Sequence, residues 1–209
     1  MDIDYIAIGD IHGLAKTLER LLARLPAAGT LVFLGDYIDR GPASKAVVSR
    51  LIALEQERDC VFLRGNHEAM ALAALAGDLE AQISWQYNGG LRTLDSYGYD
   101  IPDDHLDFLE RTLPYFLTED YIFVHGGLDP GKELDEMNIS TLWWMREPFL
   151  SSEYDWGRLV VHGHTPTGTG RPEIRPNRIN IDTGAVYGGK LTALVLPARK
   201  FIAEKARER

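Results

Sequence analysis

Cysteine is almost absent: Cys60 stands alone, so no disulfide can close within the chain and nothing argues for an oxidising compartment. It follows Asp59 and opens an apolar run, which reads as a buried strand residue rather than a nucleophile. Long apolar runs are missing too. Stretches such as Tyr121 to Val124 and Leu159 to Val161 fall far short of the roughly 20 residues a helix needs to cross a bilayer, so no membrane span is expected. Positive charge is in deficit, with 22 Lys and Arg against 31 Asp and Glu and a formal charge of -9. That balance opposes nonspecific attachment to a nucleic-acid backbone or an anionic membrane, and neither is expected as a partner. The start, Met1-Asp2-Ile3-Asp4, is acidic where a signal peptide is basic. A cytoplasmic location is therefore expected.

What is present is ordinary for a folded enzyme. With 45% hydrophobic and 25% charged residues, the 209-residue chain can bury a sizeable core, and one domain over 1–209 is expected, as a monomer. Short β-branched runs at Ile3–Ile8, Leu31–Leu34, Val61–Leu63, Tyr121–Val124, Leu159–Val161, Ile179–Ile181 and Leu191–Leu196 predict buried strands. Between the first three, the stripes Leu14, Leu18, Leu21, Leu22, Leu25 and Val47, Val48, Leu51, Ile52, Leu54 predict helices. This β-α-β-α-β order implies parallel crossovers in an α/β fold. Further helices are predicted from Ala69 to about Leu79, from Ile83 to Tyr97 with an interruption at Gly89-Gly90, and from Asp104 to Leu113. The tail from Arg199 to Arg209 alternates in charge and is expected to fray.

Five of the predicted strands end in a glycine-flanked group of metal-capable side chains: GDIHG (9–13), GDYIDRGP (35–42), GNHE (65–68), HGG (125–127) and HGHTP (162–166). Ligands of α/β sheets bind beyond the carboxyl ends of the strands, so these loops can converge on one pocket. Five of the six histidines lie in these groups, and His105 is the exception. Carboxylate, imidazole and amide donors without a thiolate suit manganese, iron, zinc, nickel or magnesium. Any one group alone has a plainer reading as a turn, a helix cap or a structural histidine. All five in this order point to a metal site.

The ordered set GDIHG, GDYIDRG, GNHE, HGG and GHTP resembles the phosphoprotein phosphatase family of the metallophosphoesterase superfamily, in its small bacterial and phage form. WQYNGG (85–90), WMRE (144–147) and IDTGAV (181–186) extend the likeness over nearly the whole chain. The resemblance implies a calcineurin-like β-sandwich of two mixed sheets flanked by helices. It implies two divalent ions, manganese first among them: Asp10 and His12 bind the first, Asp36 bridges both, and Asn66, His125 and His164 complete the second. It further implies a two-metal-activated water, with His67 as the general acid held by Asp39 and with Arg40 and Arg146 gripping phosphate.

Plainer alternatives stand beside several of these assignments. His67 has a second reading as a ligand or core residue, and Arg146 as the ion-pair partner of Glu147. Asn88 reads equally as pocket lining or as a turn residue, and Asp182 as the support of a ligand histidine or as a turn residue. Pro166 stands where the superfamily's nucleases carry a second histidine, which weakens a nuclease reading, and His162 reads as a supporting residue rather than a ligand. Trp85, Trp143 and Trp144 read as packing before groove. The first functional expectation is a serine/threonine protein phosphatase acting on phosphoprotein or small phosphoesters, possible dual specificity included. The alternative is a dinucleoside polyphosphate hydrolase of the Ap4A type, and a noncatalytic scaffold stands well behind both.

Overall fold

The computed structural model describes residues 3–208. Three parallel strands, β1 (Tyr5–Ile8), β2 (Thr30–Phe33) and β3 (Cys60–Phe62), are joined by α1 (Ala15–Leu22) and α2 (Ser44–Leu54), as the apolar stripes predict. Four helices follow: α3 (Asn66–Leu75), α4 (Leu79–Trp85), α5 (Leu91–Tyr97) and α6 (Asp103–Glu110). The expected break at Gly89-Gly90 is a π-helical turn over Gln86–Gly90, with Gly89 at φ 105. The alanine-rich helix starts earlier than the composition suggested, because α3 begins inside the GNHE motif.

The chain then builds a second sheet from β4 (Tyr115–Leu117), β5 (Tyr121–Val124), β6 (Leu159–His162), β7 (Glu173–Ile174) and β8 (Arg178–Asn180), with α7 (Ile139–Trp144) between β5 and β6. It returns to the first sheet as β9 (Lys190–Leu196) and β10 (Lys200–Lys205). The strand orders are β10-β9-β1-β2-β3 and β4-β5-β6-β8-β7, and both sheets mix parallel and antiparallel neighbours. The architecture is an α/β sandwich of two mixed sheets flanked by helices.

Side-chain alternation explains why the strands read as unbroken apolar runs. Ala7, Val32 and Leu34 meet Phe123, Val161 and Ile179 in the layer between the sheets. Their neighbours Ile6, Ile8, Leu31 and Phe33 face the opposite way, into the core under the helices. Ile122, Val124 and Val160 likewise leave the middle layer to pack on Leu142 and Phe149. A strand covered on both faces has no position left for an exposed polar residue.

The tail departs from expectation. Residues 200–205 pair with β9 over six positions, and Glu204 accepts hydrogen bonds from Arg20 and Arg24 of α1. Glu208 caps the same helix, accepting from the backbone N–H groups of Lys16 and Thr17. Helix α1 has no cap of its own, because its N-cap residue is Leu14. The alternating charges are therefore placed partners rather than the mark of a frayed end; Arg209 lies outside the described residues. Cys60 does lie on a strand, though only half-buried, and burial pushes its thiol up to about 11. Among the described residues no helix is long and apolar enough to cross a membrane.

Candidate metal centre

The five motifs follow β1, β2, β3, β5 and β6, whose carboxyl ends share one edge of the sandwich. The loops meet there too closely for a side chain at either of two glycines. A Cβ at Gly35 would lie 2.5 Å from the Gly65 nitrogen, and one at Gly163 would lie 2.1 Å from Oδ1 of Asp10. Backbone strain concentrates at the same edge. Of seven described non-glycine residues with positive φ, five are His12, Asp36, Asp39, Arg40 and His164. Such conformations cost of order 1–3 kcal/mol each and persist where the surroundings impose them.

Asp36 lies at the middle, buried to 1% exposure. Its Oδ2 is 3.4 Å from His12 Nε2 and 3.9 Å from His67 Nε2, while its Oδ1 is 3.3 Å from His125 Nε2. Two donor triplets result, His12–Asp36–His67 and Asp36–His125–His164, each with ligand atoms within 4.8 Å of one another. Asn66 joins the second, its Oδ1 3.0 Å from His125 Nε2. Asp10 belongs to neither triplet. Its carboxylate is turned toward the backbone N–H of His164, at 3.1 and 3.3 Å.

The chemistry of these donors fits divalent cations. Nδ1 of His12 donates to the carbonyl of Ile38 and Nδ1 of His125 to that of Leu34, which leaves the lone pair of each ring on Nε2, the His12 one accepting from Arg40 Nη1. Nε2 of His67 and of His164 are buried with no hydrogen-bond partner among the described residues. Burial keeps the candidate ligand histidines neutral, pushing His12 and His164 down to about 3 and lowering His125. Burial and then the Asp182 and Asp36 carboxylates push Asp10 well up, whereas four surrounding histidines hold Asp36 low against the opposing effect of burial. Buried carboxylates beside neutral imidazole lone pairs form a site that bound cations would complete.

His67 is held differently. Its Nδ1 is 2.6 Å from Oδ2 of Asp39, and although burial opposes it, Asp36 and Asp39 raise its pKa. Asp39 also accepts from Trp85 Nε1 at 2.9 Å to both oxygens and from Thr93 Oγ1 at 2.6 Å. Glu68, the last residue of GNHE, accepts from the N–H groups of Asp36, Tyr37 and Gly65 and so fixes the Asp36 loop. Burial and the neighbouring Asp36 raise Glu68 to about 7. The sequence assigns no role to Glu68 or Thr93 and reads Trp85 as packing, not as a partner of Asp39. Its available signals were the acidic end of GNHE and the tryptophan of WQYNGG.

The arginines flank the two triplets. Arg40 Nη1 is 2.7 Å from His12 Nε2, and its guanidinium lies 5.6 Å from the Tyr187 ring centroid. Arg146 is exposed and its charge acts on His164. Glu147 accepts instead from Ser151, so the Arg146–Glu147 ion pair does not form. Asn88 donates to the Ser84 carbonyl, a local role in the helix, and Asp182 accepts from Gly184 in a turn. His162 is neutral, pushed by burial to about 3, and pairs with the buried Arg178. Arg178 in turn donates to the Leu150 carbonyl in the arm that follows Arg146.

The model of the family described as calcineurin-like phosphoesterase matches residues 3–190. The chain belongs to the calcineurin-like phosphoesterase family. Enzymes of this family normally use a binuclear divalent metal centre, and the two donor triplets sharing Asp36 are the candidates for it here. Among curated relatives of this phosphoesterase, the bis(5'-nucleosyl)-tetraphosphatase PrpE [asymmetrical] of Oceanobacillus iheyensis is 28% identical, over 100% of this chain and 94% of its own length. The enzyme of the same name from Anoxybacillus flavithermus is 27% identical, covering 95% and 93%. A solved structure provisionally described as a diadenosine tetraphosphatase superposes with a TM-score of 0.77 at 25% identity, over 100% of this chain and 96% of that one. A protein serine/threonine phosphatase from Saccharomyces cerevisiae reaches 0.66 at 18% identity, covering 100% and 81%, which shows the shared fold. The superfamily expected from the motifs is present. Its placement among protein phosphatases is not what these relatives favour, since the curated ones carry the name of the alternative activity.

Proposed function

We propose that this phosphoesterase hydrolyses dinucleoside tetraphosphates asymmetrically, releasing a nucleoside triphosphate and a nucleoside monophosphate. One observation carries the reaction class: a single buried carboxylate, Asp36, is shared by two sets of metal-capable donors. End-to-end similarity to relatives named for this substrate supports the substrate class. The motifs that suggested a protein phosphatase belong to the phosphate-splitting centre and do not distinguish a phosphoprotein from a nucleotide.

Asp10, His12 and Asp36 would hold one divalent ion, and Asp36, Asn66, His125 and His164 the other, with manganese the first ion to test. When bound, the two ions supply the positive charge that attracts phosphate oxygens and lowers the pKa of a water. The chain's own residues do the rest. Arg40 and Arg146 grip the phosphate oxygens from opposite triplets, which an acidic protein must arrange locally. Asp39 fixes the ring of His67 and stabilises its protonated form, so Nε2 can give a proton to the leaving phosphate oxygen. Trp85 and Thr93 keep the Asp39 carboxylate aligned for that task.

Turnover of diadenosine tetraphosphate and of a phosphoserine peptide, measured side by side with manganese-loaded protein, tests the reading. Cleavage of the dinucleotide to ATP and AMP with a far higher kcat/KM is expected. Preference for the phosphopeptide would overturn it.

A further inference from the structure

Five large aromatic side chains, Tyr87, Tyr99, Trp144, Tyr154 and Tyr187, are strongly exposed. Scattered exposed aromatics are normal and mean nothing by themselves. Two of these, however, rest on the candidate metal centre, one beside a residue of each donor triplet. Tyr187, 64% exposed, lies against the guanidinium of Arg40, which reaches His12 in the first triplet. Trp144, 42% exposed, lies edge-on to the ring of His164 in the second, with centroids 6.0 Å apart. Tyr99 instead donates to Asp95, and Tyr154 packs on Trp156.

Each triplet thus has the same kind of neighbours: an exposed aromatic ring, an arginine and a metal-capable histidine. The arginine is Arg40 beside Tyr187, and Arg146 two residues beyond Trp144. Both rings have fixed bases. Tyr187 ends a 3-10 turn closed by hydrogen bonds from its own N–H to Gly184 and from Gly188 to Ala185. Trp144 ends α7, which is tied to the HGG loop by the Gly126 N–H donating to the Leu142 carbonyl. A preorganised ring binds a flat partner without first having to be ordered.

We infer that Tyr187 and Trp144 are the two nucleobase platforms of the site, one beside each donor triplet, and that they select a substrate with a base at both ends of its phosphate chain. This rests on the function proposed above. Phosphate alone is gripped by arginines and cations in any phosphoesterase of this design, so discrimination must come from what touches the rest of the molecule. Stacking supplies it without adding charge, and it tolerates different bases because every base offers a π-face.

The experiment compares wild type with Trp144→Ala, Tyr187→Ala, Trp144→Phe and Tyr187→Phe, using diadenosine tetraphosphate and p-nitrophenyl phosphate, which carries no nucleobase. The quantity read is the ratio of the two kcat/KM values. Each alanine variant is expected to lower that ratio about tenfold, chiefly through KM for the dinucleotide, and the double variant about a hundredfold. The phenylalanine variants, which keep a ring and serve as the check on folding, are expected to restore it. If the wild type cleaves the dinucleotide and both alanine variants keep the wild-type ratio, the platforms are refuted while the function stands. If the wild type cleaves p-nitrophenyl phosphate and leaves the dinucleotide intact, the proposed function fails and this inference falls with it.

Discussion

Nδ1 of His67 and Oδ2 of Asp39 lie 2.6 Å apart, with both side chains shut away from solvent. That contact decides which nitrogen of His67 faces the centre. The aspartate takes the Nδ1 side, so Nε2 points inward, buried, within 3.9 Å of Asp36 and without a hydrogen-bond partner among the described residues. An imidazole so placed can protonate a leaving oxygen or bind a metal. The contact to the Asp39 carboxylate favours the acid, because the candidate ligand histidines His12 and His125 turn Nδ1 to backbone carbonyls instead.

The acid assignment makes His67→Asn a test that depends on the leaving group. Loss of general acid catalysis lowers kcat by about 10²–10⁴ for a leaving group that needs protonation. The loss is expected to be large for an alkyl phosphate and small for p-nitrophenyl phosphate, whose leaving group departs without help. Equal loss on both, measured at saturating metal, would remove His67 from that role.

Metal content separates the same two readings directly. Elemental analysis of His67→Asn after manganese loading and gel filtration is expected to return the wild-type two ions per chain. Asp36→Asn is expected to lose both, because its carboxylate is common to the two triplets. A stoichiometry of one ion in His67→Asn would make His67 a ligand and leave Asp10, which lies outside both triplets, as a carboxylate that supports the His164 backbone.

Trp85→Phe isolates the support beneath the acid. The substitution keeps an aromatic ring but removes the N–H that reaches both oxygens of Asp39 at 2.9 Å. A hydrogen bond to a charged group contributes about 1.5–3 kcal/mol, so kcat for an alkyl phosphate should fall by about tenfold or more. KM and metal content should hold. A fall of the same size with p-nitrophenyl phosphate would mean that Trp85 acts through general packing and not through the acid.

These supports show where the sequence stops being legible. The loops with candidate ligands could be read because each lies within a few residues of a strand's carboxyl end, and strand ends converge by topology alone. The partners of Asp39 could not, since Trp85 and Thr93 come from 46 and 54 residues away and approach through a π-helical turn that brings α4 and α5 onto the site. The last strand was hidden by a similar long-range pairing. Glu204 looks like a solvated charge until Arg20 and Arg24 of α1, far away along the chain, are placed against it. The choice of substrate was the least legible of all, because the five motifs describe a phosphate and two metals and say nothing of what the phosphate is attached to.

His105, the one histidine outside the motifs, gives a prediction independent of the metals. It is 6% exposed, its Nδ1 is 2.8 Å from the Tyr97 hydroxyl and its Nε2 is 3.3 Å from Ser49 Oγ, an arrangement that suits the neutral ring. Burial first, then the charge of Lys45, lowers its pKa from 6.5 against the opposing pull of Asp104. The unfolded chain therefore binds the proton more readily than the folded one just below pH 6.5. Stability from this residue is full above that value and is lost as pH falls toward the folded-state pKa. In urea unfolding of chelator-treated protein, the stability gap between wild type and His105→Gln should be wider at about pH 7.5 than at about pH 5. Treating both proteins alike cancels the titration of the site carboxylates and histidines, which is common to the two. A gap that widens on acidification would mean that the folded protein holds His105 protonated, with Asp104 rather than burial in control.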